Sequence, residues 1–145
     1  MPRFVLLYHR CPPGYSRPSH WDLMLESGNM LRAWALATLP RGWQAAHFRT
    51  QREDECPPLA PGNEVAAVQL ADHRHAYLDY EGELSGERGT VIRVAEGSYR
   101  VRGDETEAGL TCTIDGDLPQ SLITLRRDGQ TAEQWALECK LEEPG

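Results

Sequence analysis

Over short stretches the chain alternates apolar and polar positions, and it almost nowhere repeats at helical spacing. The sharpest case is His20-Trp21-Asp22-Leu23-Met24-Leu25-Glu26. As an extended strand it puts Trp21, Leu23 and Leu25 on one face and His20, Asp22, Met24 and Glu26 on the other, so that an apolar core face backs a polar one. Phe4-Val5-Leu6-Leu7-Tyr8-His9 reads as a preceding strand with His9 at its end, on the face shared by Val5 and Leu7. Between the two, residues 10–19 contain Pro12, Pro13, Gly14 and Pro18, cannot continue a sheet and predict a loop. Ser27-Gly28-Asn29 predicts a tight hairpin turn into a partner strand from Met30 to Ala37.

Leu39-Pro40-Arg41-Gly42 ends that strand. Residues 43–63, with Pro57, Pro58 and Pro61, predict a long excursion with a helical turn or two around Trp43 to Phe48. Glu64 to Leu70 is the next expected strand, left by a polar turn from Ala71 to Tyr77 that carries His73. Tyr80-Glu81-Gly82 and Ser85-Gly86-Glu87-Arg88-Gly89 punctuate a loop. Further strands are expected over Thr90 to Ala95, Ser98 to Arg102, Leu110 to Ile114, Leu122 to Arg126 and Gln134 to Cys139, before a charged tail that frays. Eight or so short strands, with no internal repeat or linker, predict one mainly β domain over 1–145, a barrel or a sandwich.

Composition narrows the function classes. A chain of 145 residues can bury a core without staples. Its net charge of -7 argues against a nonspecific nucleic-acid coat, which draws affinity from Lys and Arg on phosphate, so any nucleic-acid contact would be a local groove. No apolar run approaches the roughly 20 residues of a membrane helix, no leader signature follows Met1, and a cytoplasmic location without membrane partners is expected. Cys11, Cys56, Cys112 and Cys139 show no C-x-x-C spacing; reduced thiols are expected, with two disulfides as the alternative.

An imidazole and a carboxylate two residues apart on one strand face, as in His20-x-Asp22, can share a divalent cation, and the mixed N/O pair suits Mn²⁺, Fe²⁺, Co²⁺ or Zn²⁺. The same pattern also suits an edge strand with its polar face in water. Trp21 and Trp34 read as core rather than as base-stacking platforms, and Arg126-Arg127 as a solvated strand end.

Taken in order, several motifs resemble the 3′-phosphoesterase domain of bacterial DNA ligase D, which also occurs as small stand-alone proteins. They are Phe4-Val5 with His9, His20-x-Asp22-x-x-Leu25-Glu26, Gly28, Leu31-x-x-Trp34-Ala35, Pro40-Arg41-Gly42, Asp72-His73-x-x-x-Tyr77-x-Asp79-Tyr80-Glu81-Gly82 and Gly89-Thr90-Val91-Ile92. The resemblance covers nearly all of residues 4–92 and continues weakly over Leu118 to Arg126 and Trp135-x-Leu137. It implies a closed or nearly closed β-barrel with a crescent groove and one divalent metal, usually Mn²⁺, with Zn²⁺ or Co²⁺ as alternatives. The family removes 3′-terminal ribonucleosides and then the 3′-phosphate from DNA ends in break repair. Its partners are thus the 3′ end of DNA or of a DNA–RNA primer-template, with a separate repair polymerase or ligase. Residue by residue, His9, His20 and Asp22 match the metal ligands, and His73 and Tyr77 match the pair on the scissile phosphate. Arg41 falls where the family has Pro-Lys-Gly, given two or three residues inserted after Leu36.

The chemistry fits these roles. Phosphoester hydrolysis needs a Lewis acid and donors for phosphoryl oxygens, and His73 offers an imidazole, a side-chain type suited to donate to the phosphate or to protonate a leaving oxygen. Without the resemblance, His73 beside Arg74 and His75 reads as solvated and Tyr77 as an ordinary buried tyrosine. The chain also departs from the family. Met24 stands where an arginine clamps the phosphate, and a second arginine would fall at Glu64 or Val65. Only three residues precede Phe4, where the family carries an arm rich in acids and bases, and the loop between His9 and His20 is longer. Removing one transition-state donor costs about 10²- to 10³-fold in rate, with Arg10, Arg17, Arg32 and Arg52 as the candidates to compensate. Three readings stay open: a metal-dependent 3′-phosphoesterase, a noncatalytic relative that binds DNA ends or a repair partner, and a metal-binding barrel doing oxidative chemistry.

Overall fold

The computed structural model describes residues 1–50 and 58–141. Arg52, Cys56 and Pro57 of the expected excursion, and the charged tail over 142–145, lie outside the described residues. The strands are β1 (Arg3–Arg10), β2 (His20–Ser27), β3 (Met30–Leu36), β4 (Glu64–Arg74), β5 (Gly82–Glu83), β6 (Thr90–Thr106), β7 (Gly109–Gly116), β8 (Ser121–Arg127) and β9 (Gln134–Leu141). They form one antiparallel sheet in the order β1-β2-β3-β4-β9-β8-β7-β6-β5, and β1 also pairs with β6. That pairing closes a ring of eight strands, the expected barrel, and leaves β5 outside the ring on β6. Closure removes the exposed strand edges that an open sheet would leave.

Alternation fills the barrel as the sequence predicts. Phe4, Leu6 and Tyr8 of β1, Trp21, Leu23 and Leu25 of β2, and Trp34 and Leu36 of β3 are fully buried in one core with Ile114, Ile123 and Leu137 from the far side. The Trp34 and Trp135 rings meet edge to face at 5.6 Å. A 3-10 turn over Arg41–Trp43 leads into α1 (Gln44–Thr50), the helical turns expected there, and adds Trp43 and Ala46 to this core. Trp21 Nε1 donates to Thr50 Oγ1 at 3.0 Å, and that hydroxyl donates to the Ala46 carbonyl at 2.9 Å. Cys11, Cys112 and Cys139 are free thiols; Cys112 and Cys139 lie in the barrel interior, where burial pushes Cys112 up to about 12.

Two segments differ from the reading of the sequence. The polar run Ala71-Asp72-His73-Arg74 is not a turn but the end of β4, pairing Arg74 with Met30 and His73 with Leu31. The β2–β3 hairpin offers it backbone partners, a bulge between Leu31 and Ala33 absorbs the change of register, and the turn starts only at His75–Leu78, as 3-10. Glu96-Gly97 does not separate two strands either, because β6 runs unbroken through it, pairing with β1 before it and β7 after it. A Cβ at Gly97 would stand 2.0 Å from the Asp115 carbonyl oxygen, so this glycine marks a close backbone approach and not a turn.

The outer face of β1–β3 is covered rather than solvated. Val5, Leu7, Met24, Leu31 and Ala33 are buried there beneath Leu78, Tyr77 and Leu84, in a second apolar cluster. At its lower edge Glu26 accepts from the Arg3 backbone N–H at 3.0 Å and from His75 Nε2 at 2.5 Å, and these bonds, His75 first, hold its carboxyl below the ordinary 4.5. A carboxyl depressed on folding contributes stability that is present above its unfolded value and lost as pH falls through the lower folded one. Urea midpoints for wild type and Glu26→Gln are therefore expected to differ at pH 7 and to converge below about pH 4. A gap that stays constant to pH 3 would assign the effect to packing.

Candidate metal centre

His9 and His20 are Cα partners across β1 and β2, and Asp22 lies one same-face step along, opposite Leu7. Period two puts all three on the outer face, where β1 gives way to the proline loop. Their side chains are only 5–7% exposed.

Each imidazole has one nitrogen committed to a backbone carbonyl. His9 Nε2 lies 2.7 Å from the Arg88 carbonyl oxygen and His20 Nδ1 lies 2.9 Å from that of Pro18. A carbonyl can only accept, so these nitrogens carry the hydrogen and the others carry the lone pair in the neutral ring. Both remaining nitrogens turn to one carboxylate: His9 Nδ1 is 3.9 Å from Asp22 Oδ2, and His20 Nε2 is 3.1 Å from Asp22 Oδ1. That last pair is close but misaligned, and neither atom, though fully buried, has a hydrogen-bond partner. Such orphaned groups cost about 1–3 kcal/mol each. Two ligands about 2.1 Å from one ion and at right angles stand about 3 Å apart. The 3.1 Å separation therefore suits a shared cation and, once the His20 ring is protonated, equally a hydrogen bond from Nε2 to Asp22. The carbonyl holding each ring's far nitrogen is the outer support that metal-ligating histidines ordinarily have.

Burial lowers the pKa of His9, and the Arg88 carbonyl and the Asp22 charge only partly offset it. Burial acts on His20 too, but the adjacent Asp22 carboxylate and the Pro18 carbonyl outweigh it and leave that ring above its ordinary value. The positive charge of Arg17, in the proline loop, reaches both rings.

Cys11 was not among the residues singled out from the sequence. With His9 and His20 it forms a group whose ligand atoms lie within 4.8 Å of one another, and its Sγ is 4.0 Å from His20 Nδ1. His9-x-Cys11 repeats the two-residue spacing of His20-x-Asp22, which puts Cys11 on the His9 face of an extended chain although it has no C-x-x-C partner.

The remaining expected site residues are dispersed. His73 and Tyr77 meet edge to face at 5.7 Å, and His73 Nδ1 donates to the Ala71 carbonyl at 2.8 Å. His73 is level with Leu31 and Glu26, two strands across and four residues along from Asp22, on the order of 15 Å away at the backbone. Tyr77 also walls a cleft of about 280 Å³ together with Arg74, Tyr80, Glu83, Ser85 and Arg88. Arg88 links cleft to centre: its carbonyl holds His9 while its guanidinium donates to the Ser85 carbonyl at 2.7 Å. The Arg74 guanidinium sits 6.0 Å above the Tyr77 ring. Arg41 lies elsewhere, in a groove with Gln44, Asn63 and Pro119 that contains no other expected site residue. Met24 is buried in the outer apolar cluster, Glu64 is ion-paired with Arg126, and Val65 faces the barrel interior. Arg32 is ion-paired with Glu105 above the Trp34 ring.

Among the described residues no helix is long and apolar enough to cross a membrane. Compared with known proteins, the chain matches no family model and no curated protein.

Proposed function

We propose that the protein is a metal-dependent phosphoesterase acting on 3′ ends of nucleic acid, in the manner of the ligase D phosphoesterase domain that its motifs resemble. The observation that carries this reading is the buried pair His9 and His20, each fixed by a carbonyl behind it, with the Asp22 carboxylate 3.1 Å from His20 Nε2 and 3.9 Å from His9 Nδ1. These three residues would hold Mn²⁺, with Zn²⁺ or Co²⁺ as alternatives, and leave positions open for water and a phosphoryl oxygen. An ion held there would supply Lewis acidity and lower the pKa of a bound water.

The chain's own residues supply the rest. Arg88 and Arg74 offer cationic groups to the cleft and the Tyr77 hydroxyl offers a donor, in place of the arginine that the resemblance expects at Met24. His73 keeps Nδ1–H on Ala71 and stands about 15 Å from Asp22, so its Nε2 would meet the nucleic acid beyond the metal rather than the reacting phosphate. Arg41, in its separate groove, has at most a role in tracking the strand beyond the end. The burial of Met24 beneath apolar side chains favours a second reading, a relative that binds DNA ends or a repair partner without turnover. A cytoplasmic location suits either reading.

The test is trimming of a primer-template bearing one 3′-terminal ribonucleotide, with Mn²⁺ or Co²⁺, by wild type and His20→Ala. Removal of the ribonucleoside by wild type alone is the expected result. An inert wild type that binds the ion and the primer end would establish the second reading, and one that binds neither would sink both.

A further inference from the structure

The imidazoles of the centre belong to two donor sets at once. On one side stands an oxygen donor, Asp22, 3.1 Å from His20 Nε2. On the other stands a sulfur donor, Cys11, 4.0 Å from His20 Nδ1 and grouped with both rings within 4.8 Å. We propose that this is a dual metal site: Mn²⁺-type cations are held through His9, His20 Nε2 and Asp22, and thiophilic cations such as Zn²⁺ and Co²⁺ through His9, the Cys11 thiolate and His20 Nδ1, which gives up its hydrogen bond to Pro18 while the ring's hydrogen moves to Nε2, beside Asp22. The inference rests on the metal-centre reading above and specifies which ions the centre takes.

Donor chemistry is the first argument. Carboxylate and water suit Mn²⁺, imidazole suits most first-row ions, and thiolate selects for zinc-like ones. The second is that Cys11 is held loosely where it matters. Its backbone is pinned by a hydrogen bond from its N–H to Ser19 Oγ at 3.0 Å, whereas the sulfur has two long contacts, 3.9 Å to the His9 carbonyl and 4.0 Å to His20 Nδ1. One χ1 rotation is all the sulfur needs to change its distance to either ring. The third is that the half-buried setting gives an ion a route in, since Cys11 lies at the mouth of the loop and not in the barrel like Cys112 and Cys139. Three protein donors in either set leave the fourth position open.

Cobalt reports a bound thiolate directly, through an intense near-ultraviolet sulfur-to-metal absorption. Co²⁺ titration of the purified protein is expected to develop that band in wild type and Asp22→Asn and to lose it in Cys11→Ser while Co²⁺ still binds. Mn²⁺ affinity should show the converse, falling at least about 100-fold in Asp22→Asn and changing less than about tenfold in Cys11→Ser. Co²⁺ bound by wild type without the band would overturn the role of Cys11 and leave the metal centre standing, and so would a band that survives Cys11→Ser. Failure of wild type to bind Co²⁺ or Mn²⁺ at all would remove the centre itself. The wild-type spectrum decides the matter even if the serine variant does not fold.

Discussion

At a pH above the titration of His20, Asp22→Asn is expected to abolish the rise in Tm that Mn²⁺ gives the wild-type protein, while leaving the Tm of the metal-free protein unchanged or slightly higher. A ligand at 100 times its Kd stabilises the state that binds it by about 2.7 kcal/mol. Asparagine keeps the shape of the side chain but offers the ion no charge, so most of that increment should vanish. Without metal the argument reverses. Once His20 has lost its proton, the buried wild-type carboxylate sets Oδ1 3.1 Å from a nitrogen lone pair with no hydrogen between them, and replacing that charge by a neutral amide removes a penalty. A carboxylate present for the fold would behave in the opposite way. Scanning calorimetry with and without Mn²⁺ tells the two apart: a large drop in the metal-free Tm, with the Mn²⁺ increment intact, would make Asp22 structural.

Gly89→Ala is expected to be strongly destabilising. At φ 96° the backbone of Gly89 is in a region that side chains rarely adopt, and a Cβ there would stand 1.9 Å from the Arg10 carbonyl oxygen and 3.1 Å from Pro12 Cδ. Strain and overpacking together amount to roughly 3–5 kcal/mol. The clash falls at the β1–β6 seam that closes the barrel, where Arg10 pairs with Thr90, and next to Arg88, whose carbonyl holds His9. Metal affinity is expected to fall about 10- to 100-fold along with stability, because His9 loses the support that orients it. Gly86→Ala is the control: φ is 74° there, but no atom lies within 4 Å, so only the conformational cost of about 1 kcal/mol remains. Equal Tm values for the two variants would show that the seam yields, and the inferred coupling of closure to His9 would fail with it.

Much of this was legible in the sequence because β structure writes its faces locally. The two-residue alternation of 20–26 placed Trp21, Leu23 and Leu25 in the barrel and His20 and Asp22 outside it, and the terminal position of His9 on the Val5 and Leu7 face made it the neighbour of His20 once the strands paired. The Gly28-Asn29 turn fixed that hairpin's register by chemistry contained in two residues. Other features depended on partners distant in the chain. Nothing local reveals that β1 pairs with β6 to close the ring, that Asp72 and His73 extend β4 because the β2–β3 hairpin reaches them, or that Met24 is roofed by Tyr77 and Leu78. The tautomers of His9 and His20 are likewise set by the carbonyls of Arg88 and Pro18, one of them 79 residues away. Periodicity determined which residues share a face, a property of the backbone's own geometry. Only tertiary pairing decided which of them meet, because a lone pair, an orphaned oxygen and a loosely held thiol become a site through distances that no short stretch of sequence specifies.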